Sequence, residues 1–208
     1  MAKKRKRSSN WGGRRQGAGR KPSKPVRGGD HRERPYLTGR HPVLVTMVRD
    51  PKLKDLRRGK ALVAAHLALG RAANRNGLSL THYAVGEDHV YLICEPRSGE
   101  DLSEGMKGLT VRFSKAINKV WRRKGSIFSE RYVVTLLREP EELRRTLARL
   151  LYGDARDGKI DSGSSLVWRD TKSELAPVIA ELDEEIGVVP PRTKLLRDAE
   201  RKVLRRKR

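Results

Sequence analysis

In the stretch Leu78 to Pro96, LSLTHYAVGEDHVYLICEP, two apolar-alternating runs meet at a short acidic turn. Residues 78–85 and 89–95 read as strands, with Gly86-Glu87-Asp88 as the tight hairpin between them. Residues two apart in a strand share a face, so His89 and Tyr91 point together to one side while Val90 and Leu92 fill the other. An imidazole and a second polar ring are thereby aimed together from a sheet, and they mark its functional face.

Working outward, Val43 to Val48 follows His41-Pro42 and ends at Arg49-Asp50-Pro51, a β-rich first strand. From Leu56 to Asn76, Leu62, Ala65, Leu69, Ala72 and Ala73 recur at helical spacing, and Asn76-Gly77 closes the pattern. On the other side of the hairpin, Asp101 as N-cap with Glu104 three residues on opens a helix whose apolar stripe is Leu102, Met106, Leu109, Phe113, Ile117, Val120 and Trp121. Its other face carries Lys107, Arg112, Lys115, Lys119, Arg122, Arg123 and Lys124, a row able to follow a phosphate backbone or simply to face solvent. Gly125 is the expected stop. Ile127 to Leu137 reads as a fourth strand, and Pro140 at N1 among Glu139, Glu141 and Glu142 starts another helix. The order β-α-β-β-α-β and then a helix predicts an α+β, ferredoxin-like split sheet with helices on one face. An RNA-recognition module of this topology needs an aromatic-rich strand that Val90-Tyr91-Leu92-Ile93 does not supply.

Charge divides the chain further. Of a net +23, residues 1–40 hold +12 and residues 192–208 hold +7, leaving +4 on the 151 residues between them. Two polycationic ends flank a nearly balanced domain, the distribution expected of a protein that neutralises phosphates and releases counterions. Residues 1–40 form a basic arm without hydrophobic period, expected to be disordered when free. It contains the run Lys3-Lys4-Arg5-Lys6-Arg7 and an AT-hook-like segment, Gly17-Ala18-Gly19-Arg20-Lys21-Pro22, whose small residues would let Arg and Lys enter a groove. Residues 41–158 are the folded domain. Residues 159–208 comprise a Ser/Gly linker, an acidic amphipathic helix over Lys172 to Ile186 with Pro177 in its first turn, and a basic C-terminal helix from Thr193 with Leu195, Leu196, Ala199 and Val203 on one side, able to dock against the acidic helix or to meet nucleic acid. The single cysteine, Cys94, excludes an internal disulfide and a cysteine metal cage, and reads as a buried hydrophobe. With no long apolar run and a charged N-terminus, no membrane association is expected, and the location expected is cytoplasmic, associated with a bacterial nucleoid.

Taken in order, several pieces resemble the single-tyrosine HUH transposases, in particular the REP-associated tyrosine transposases. The resemblance spans roughly residues 14 to 168. Its pieces are Arg14 to Pro22 (RRQGAGRKP), His41-Pro42-Val43, Leu80 to Val85 (LTHYAV), His89 to Ile93 (HVYLI), Leu102 to Leu109 (LSEGMKGL), Ile127 to Tyr132 (IFSERY), and Ser164-Ser165 before Trp168. The resemblance implies recognition of single-stranded or hairpin DNA and possession of a Mg²⁺ or Mn²⁺ ion held by a His-hydrophobic-His pair. It also implies a helix-borne tyrosine that attacks a phosphate to give a 5′-phosphotyrosine link, and a homodimer.

The chain departs from that pattern at its chemistry. Tyr91 stands where the second histidine is expected, and a neutral phenol is a poor ligand for a hard divalent ion. His89 remains, and His82 on the neighbouring strand is the candidate to restore a two-histidine site; His66 and His41 show no ligand spacing. In the helix after the fourth strand, Arg149 falls at the tyrosine position and Gly153 at that of its amide partner, while Val133 replaces the histidine that follows Arg-Tyr in the family. Tyr152, one turn beyond Arg149, is the one tyrosine available for catalysis; with Arg145, Arg149 and Arg156 it is expected on the polar side of that helix, opposite Leu143, Leu147, Leu150 and Leu151. Three readings follow. The first is a transposase-like DNA-binding protein without efficient nicking and without a metal, gripping DNA through Arg14, Arg15, Arg20, Lys21, Arg112, Lys115, Lys119, Arg122, Arg123, Arg145 and Arg149. The second is an active enzyme using Tyr152 and a divalent ion, and the third a structural RNA-binding or ribosome-associated protein.

Overall fold

The computed structural model describes residues 36–153, 161–168 and 187–205. The basic arm up to residue 35 and the acidic segment 172–186 lie outside the described residues, as does Arg156.

Four antiparallel strands form the sheet: β1 (Val43–Val48), β2 (Leu80–Val85), β3 (His89–Cys94) and β4 (Val133–Leu136), in the order β2-β3-β1-β4. With α1 (Lys60–Ala72) and α2 (Gly99–Trp121) between the strand pairs, this is the expected ferredoxin-like arrangement. The opening hairpin forms as read, closed by Gly86 N–H donating to the His89 carbonyl at 2.8 Å. Val43, Val45 and Met47 of β1 and Val90, Leu92 and Cys94 of β3 share one face, and α1 and α2 cover it. The α2 stripe Leu102, Met106, Leu109, Phe113 and Ile117 is fully buried there, as its spacing predicts. Gly105 sits within that stripe because a side chain there would stand 2.5 Å from Leu78 Cβ. Cys94 is buried, and burial pushes its thiol far above the usual range.

The opposite face carries His82, Ala84, Tyr91 and Ile93. Helices were expected on one face; here α3 (Pro140–Tyr152) and the C-terminal helix α4 (Lys194–Arg205) form a second core with Ile93, Leu137, Leu143, Leu147, Leu196, Ala199 and Val203. The physical reason is that α4 offers a second apolar stripe, and packing it against α3 buries both. Glu95 fixes where α4 begins. Its side chain is buried and accepts hydrogen bonds from the backbone N–H groups of Arg192 and Thr193 and from the Thr193 hydroxyl.

Four boundaries differ from expectation. Helix α1 starts at Lys60 rather than Leu56. Helix α2 starts three residues early, because Ser98 rather than Asp101 is the N-cap and accepts from Asp101 N–H at 3.1 Å. A cap three residues before an acid recurs in this stretch, Ser98 with Asp101 and Asp101 with Glu104, and the first of the two is used. At its other end α2 stops at Trp121, with Arg122 in the left-handed conformation (φ 51°, ψ 45°), before Gly125 is reached. The fourth strand covers only Val133–Leu136. Upstream of it the chain leaves the ladder and touches β1 again through the Arg49–Phe128 bridge and Ser129 N–H to the Val48 carbonyl, so residues 130–132 loop away from the sheet.

After α3, residues 161–168 return along the outer edge of β2, with Val85 N–H donating to the Gly163 carbonyl at 2.8 Å and a bridge between Ala84 and Ser164. A buried polar chain fixes this return. His66 Nε2–H donates to the Ser162 carbonyl (2.9 Å), its Nδ1 accepts from the Tyr83 hydroxyl (2.7 Å), and that hydroxyl accepts from Trp168 Nε1–H (2.6 Å). The Arg57–Asp161 ion pair at 3.0 Å closes the outer side.

Candidate nucleic-acid interface

His89 and Tyr91 lie on the sheet face that would carry metal chemistry. Their rings lie parallel, 5.6 Å apart at 7°, and His89 Nδ1 is hydrogen-bonded to Asp88 Oδ1 at 2.6 Å. That hydrogen bond holds the Asp88 carboxyl below its ordinary value. His82 does not join them. It pairs with Ile93, four positions along β3 from His89, which places it about 13 Å away along the strand direction. There His82 is 2% exposed, and its Nε2–H donates to Glu200 Oε1 of α4 at 3.2 Å. The expected two-histidine site is therefore not assembled: the shared face is right, but the strand register separates the two rings. Among the described residues no three His, Cys, Asp or Glu side chains come together to hold an ion. The stacked Tyr91 ring does not supply the missing ligand, so these residues do not fit Mg²⁺ or Mn²⁺.

Tyr152 also stands elsewhere than expected. It is 7% exposed, packed in the second core rather than on a polar surface, and burial raises its phenol above the ordinary value. The cause is α4, which covers the flank of α3 bearing Ala148 and Tyr152; the periodicity of α3 alone contains no information about that partner. Arg145 remains exposed and joins Arg144, Lys202 and Arg205 around a groove of about 550 Å³ between the two helices, which Ala148 and Tyr152 also line, with Glu141 bonded to Arg144. Arg149 is exposed but does not line that groove.

The predicted basic residues of α2 do converge. Lys115, Lys119, Arg122 and Arg123 line one open groove of about 580 Å³, with Lys124 beside them, at the end of the helix. Arg112 lies over Gly108 beside Asn76 and does not take part. Among the described residues none of the five groove cations is paired with a carboxylate. The groove's floor is held by Asn118, whose Nδ2 donates to the Gly125 carbonyl (2.7 Å) and whose Oδ1 accepts from Arg123 Nη1 (3.0 Å). Asn118 was not singled out in the sequence; an uncharged amide inside a basic helical row is the signal that it serves geometry rather than charge. Immediately alongside, Lys115, Asn118 and Gly125 also border a second hollow of about 480 Å³, between α2 and the looped-out residues 130–132. Of the N-terminal candidates, Arg14, Arg15, Arg20 and Lys21 lie outside the described residues. No helix among the described residues is long and apolar enough to cross a membrane.

No protein-family model matches the chain, and no curated protein matches it. Solved structures do. A REP-associated tyrosine transposase bound to a REP hairpin superposes at a TM-score of 0.50 with 15% identity, covering 77% of this chain and 98% of that one. A Deinococcus radiodurans R1 protein assigned as a transposase matches at 0.41 and 15% identity, over 54% and 87% of the two chains. A bacterial tRNA(His) guanylyltransferase-like protein in complex with GTP matches at 0.43 and 13%, over 59% and 66%. The first shows that this chain has a transposase-like fold; the other two, below one half in TM-score, carry no weight.

Proposed function

We propose that this is a transposase-like DNA-binding protein that grips single-stranded or hairpin DNA without efficient nicking. The observation that carries this is the groove at the end of α2, where five cations converge with no carboxylate partner among the described residues. Cations left unpaired at that density attract a phosphate backbone and release its counterions on contact. The basic arm before residue 41 and the basic end after Arg192 add to the same field. That a protein of this fold is bound to a REP hairpin favours hairpin DNA over duplex as the target.

The non-nicking part of the reading is supported by chemistry. His89 is engaged by Asp88 and Tyr91, His82 by Glu200, and burial raises the Tyr152 phenol above its ordinary value. A phenol activated for attack needs a lowered pKa, the opposite of what burial imposes here. Two measurements test the proposal. Replacing Lys115, Lys119 and Arg122 together by Ala in the full chain should weaken hairpin binding at least ~10-fold and make the salt dependence shallower by about 2 in log–log slope. Unchanged binding would remove the groove from the mechanism. Incubation with hairpin DNA and Mg²⁺ or Mn²⁺ should leave no covalent adduct, whereas an adduct that disappears in Tyr152→Phe would establish an active enzyme instead.

A further inference from the structure

Beside the cationic groove lies a hollow whose chemistry differs from it. Its walls are apolar: Val111, which is 49% exposed, Met47 beneath it, and the ring of Phe128, itself packed at 5.4 Å on Phe113. Its rim is polar and comes from both sides, with Thr110, Ser114 and Lys115 from α2 and Glu130, Arg131 and Tyr132 from the looped-out segment. The hollow exists because the fourth strand does not run from Ile127. The chain leaves β1 after Ser129 and rejoins it only at Val133, opposite Thr46, and the residues between them form the far wall of the hollow across from α2. A continuous strand would have closed this space.

We infer that this hollow receives one unstacked nucleobase of the bound strand, preferentially a base with an exocyclic amino group. The inference rests on the DNA-binding reading above and specifies what that site takes. Three observations lead to it. First, the hollow shares Lys115, Asn118 and Gly125 with the cationic groove, so a backbone lying in one passes the mouth of the other. Second, its volume of about 480 Å³ and its apolar walls beneath a polar rim are those of a small-ligand site. A flat aromatic base between Val111 and the Phe128 ring would remove both from water. Third, Glu130 has no cationic partner among the described residues, although it sits in a strongly basic surface. A carboxylate there repels phosphate but accepts a hydrogen bond from an amino group, as carboxylates do from cytosine N4. Adenine, cytosine and guanine all carry such a donor; thymine, with only carbonyl oxygens and one ring N–H, does not. A duplex keeps its bases stacked and paired, so the hollow also makes the site selective for single strands.

The test uses the full chain and fluorescently labelled single-stranded homopolymers of dC, dA and dT. The expected result is ~5- to 10-fold tighter binding of dC and dA than of dT, a ratio that both Ser114→Trp, which fills the hollow, and Glu130→Ala, which removes the acceptor, bring to about one. The salt dependence should stay that of the unaltered protein in both variants, because neither removes a cation. Glu130 is exposed, so its variant keeps the test usable should the tryptophan disturb α2. Equal binding of all three homopolymers by the unaltered protein, or a preference that survives both substitutions, overturns the inference. If the Lys115, Lys119 and Arg122 alanine variant weakens binding while the bases remain undistinguished, only the hollow's role falls. If that variant binds unchanged, the groove reading falls, and this one with it.

Discussion

His66 shows how one residue can be assigned a type by sequence and a task only by its neighbours. On the sequence it is a histidine without ligand spacing; in the fold it is 1% exposed and joins Tyr83, Trp168 and the 162 carbonyl in one hydrogen-bonded chain. Burial lowers its pKa from 6.5 to about 4. Above pH 6.5 the ring is neutral in both folded and unfolded chains, and its contribution to stability is complete. As pH falls from 6.5 toward 4, the unfolded chain takes up the proton and the folded one resists, so stability is lost over that window by about 3 kcal/mol, ~2 of it by pH 5. Urea midpoints measured at pH 7 and pH 5 should show this loss, and His66→Gln should remove most of the pH dependence; a variant with an unchanged slope would assign it to another group. The site residues divide in the same way. His89 and Tyr91 share a face, as alternation along a strand requires, because period two is local. That His82 is four positions away depends on the β2–β3 register, which no single residue announces.

Among the elements, α2 was the most legible, since Leu102, Met106, Leu109, Phe113 and Ile117 of its predicted stripe are all buried. Its ends were less so. Arg122 holds the left-handed cap that glycine usually takes, at a strain of about 1 kcal/mol for a residue with a side chain. Arg122→Gly should therefore leave thermal stability equal or raise it by up to ~1 kcal/mol, while DNA affinity falls and the salt slope becomes shallower by about 1. A destabilised protein would mean that the arginine side chain holds the helix end through packing. The return segment 161–168 gives a second prediction. Gly70 lies against the Trp168 ring, where an added Cβ would stand 2.4 Å from Trp168 Cζ2. Gly70→Ala should cost ~1–3 kcal/mol in denaturant unfolding and dislodge the tryptophan, with a change in its fluorescence before global unfolding. Retained stability and an unmoved emission would show that the ring shifts freely. Helix α3 illustrates the limit of periodicity. Its leucines point inward as expected, yet Tyr152 is buried as well, because a helix from the far end of the chain covers its flank.

At the scale of the whole molecule, the charge distribution is the strongest functional signal. A balanced centre between a +12 arm and a +7 end predicts that much of the affinity for DNA is electrostatic and independent of base sequence. Removing residues 1–35, which spares the buried Leu37, eliminates thirteen cations. If about half of them meet phosphates, the log–log salt dependence for single strands should become shallower by about 5, and affinity at low salt should drop by orders of magnitude. The preference for dC and dA over dT should persist in that truncated chain, since the hollow is lined by residues between Met47 and Tyr132. A slope that does not change would show that the arm stays off the DNA.

The sequence by itself determined the strand and helix order, the face to which each strand residue points, the apolar stripes and the placement of charge. All of these are consequences of short-range geometry, with periods of 2 and 3.6, and of composition. Tertiary structure alone decided three other things: that α4 buries Tyr152, that register keeps His82 away from His89, and that the fourth strand breaks to open a hollow beside the α2 cations. Each depends on contacts between residues far apart in the chain, and local patterning carries no record of which distant surface will cover, align with or stand away from a given element.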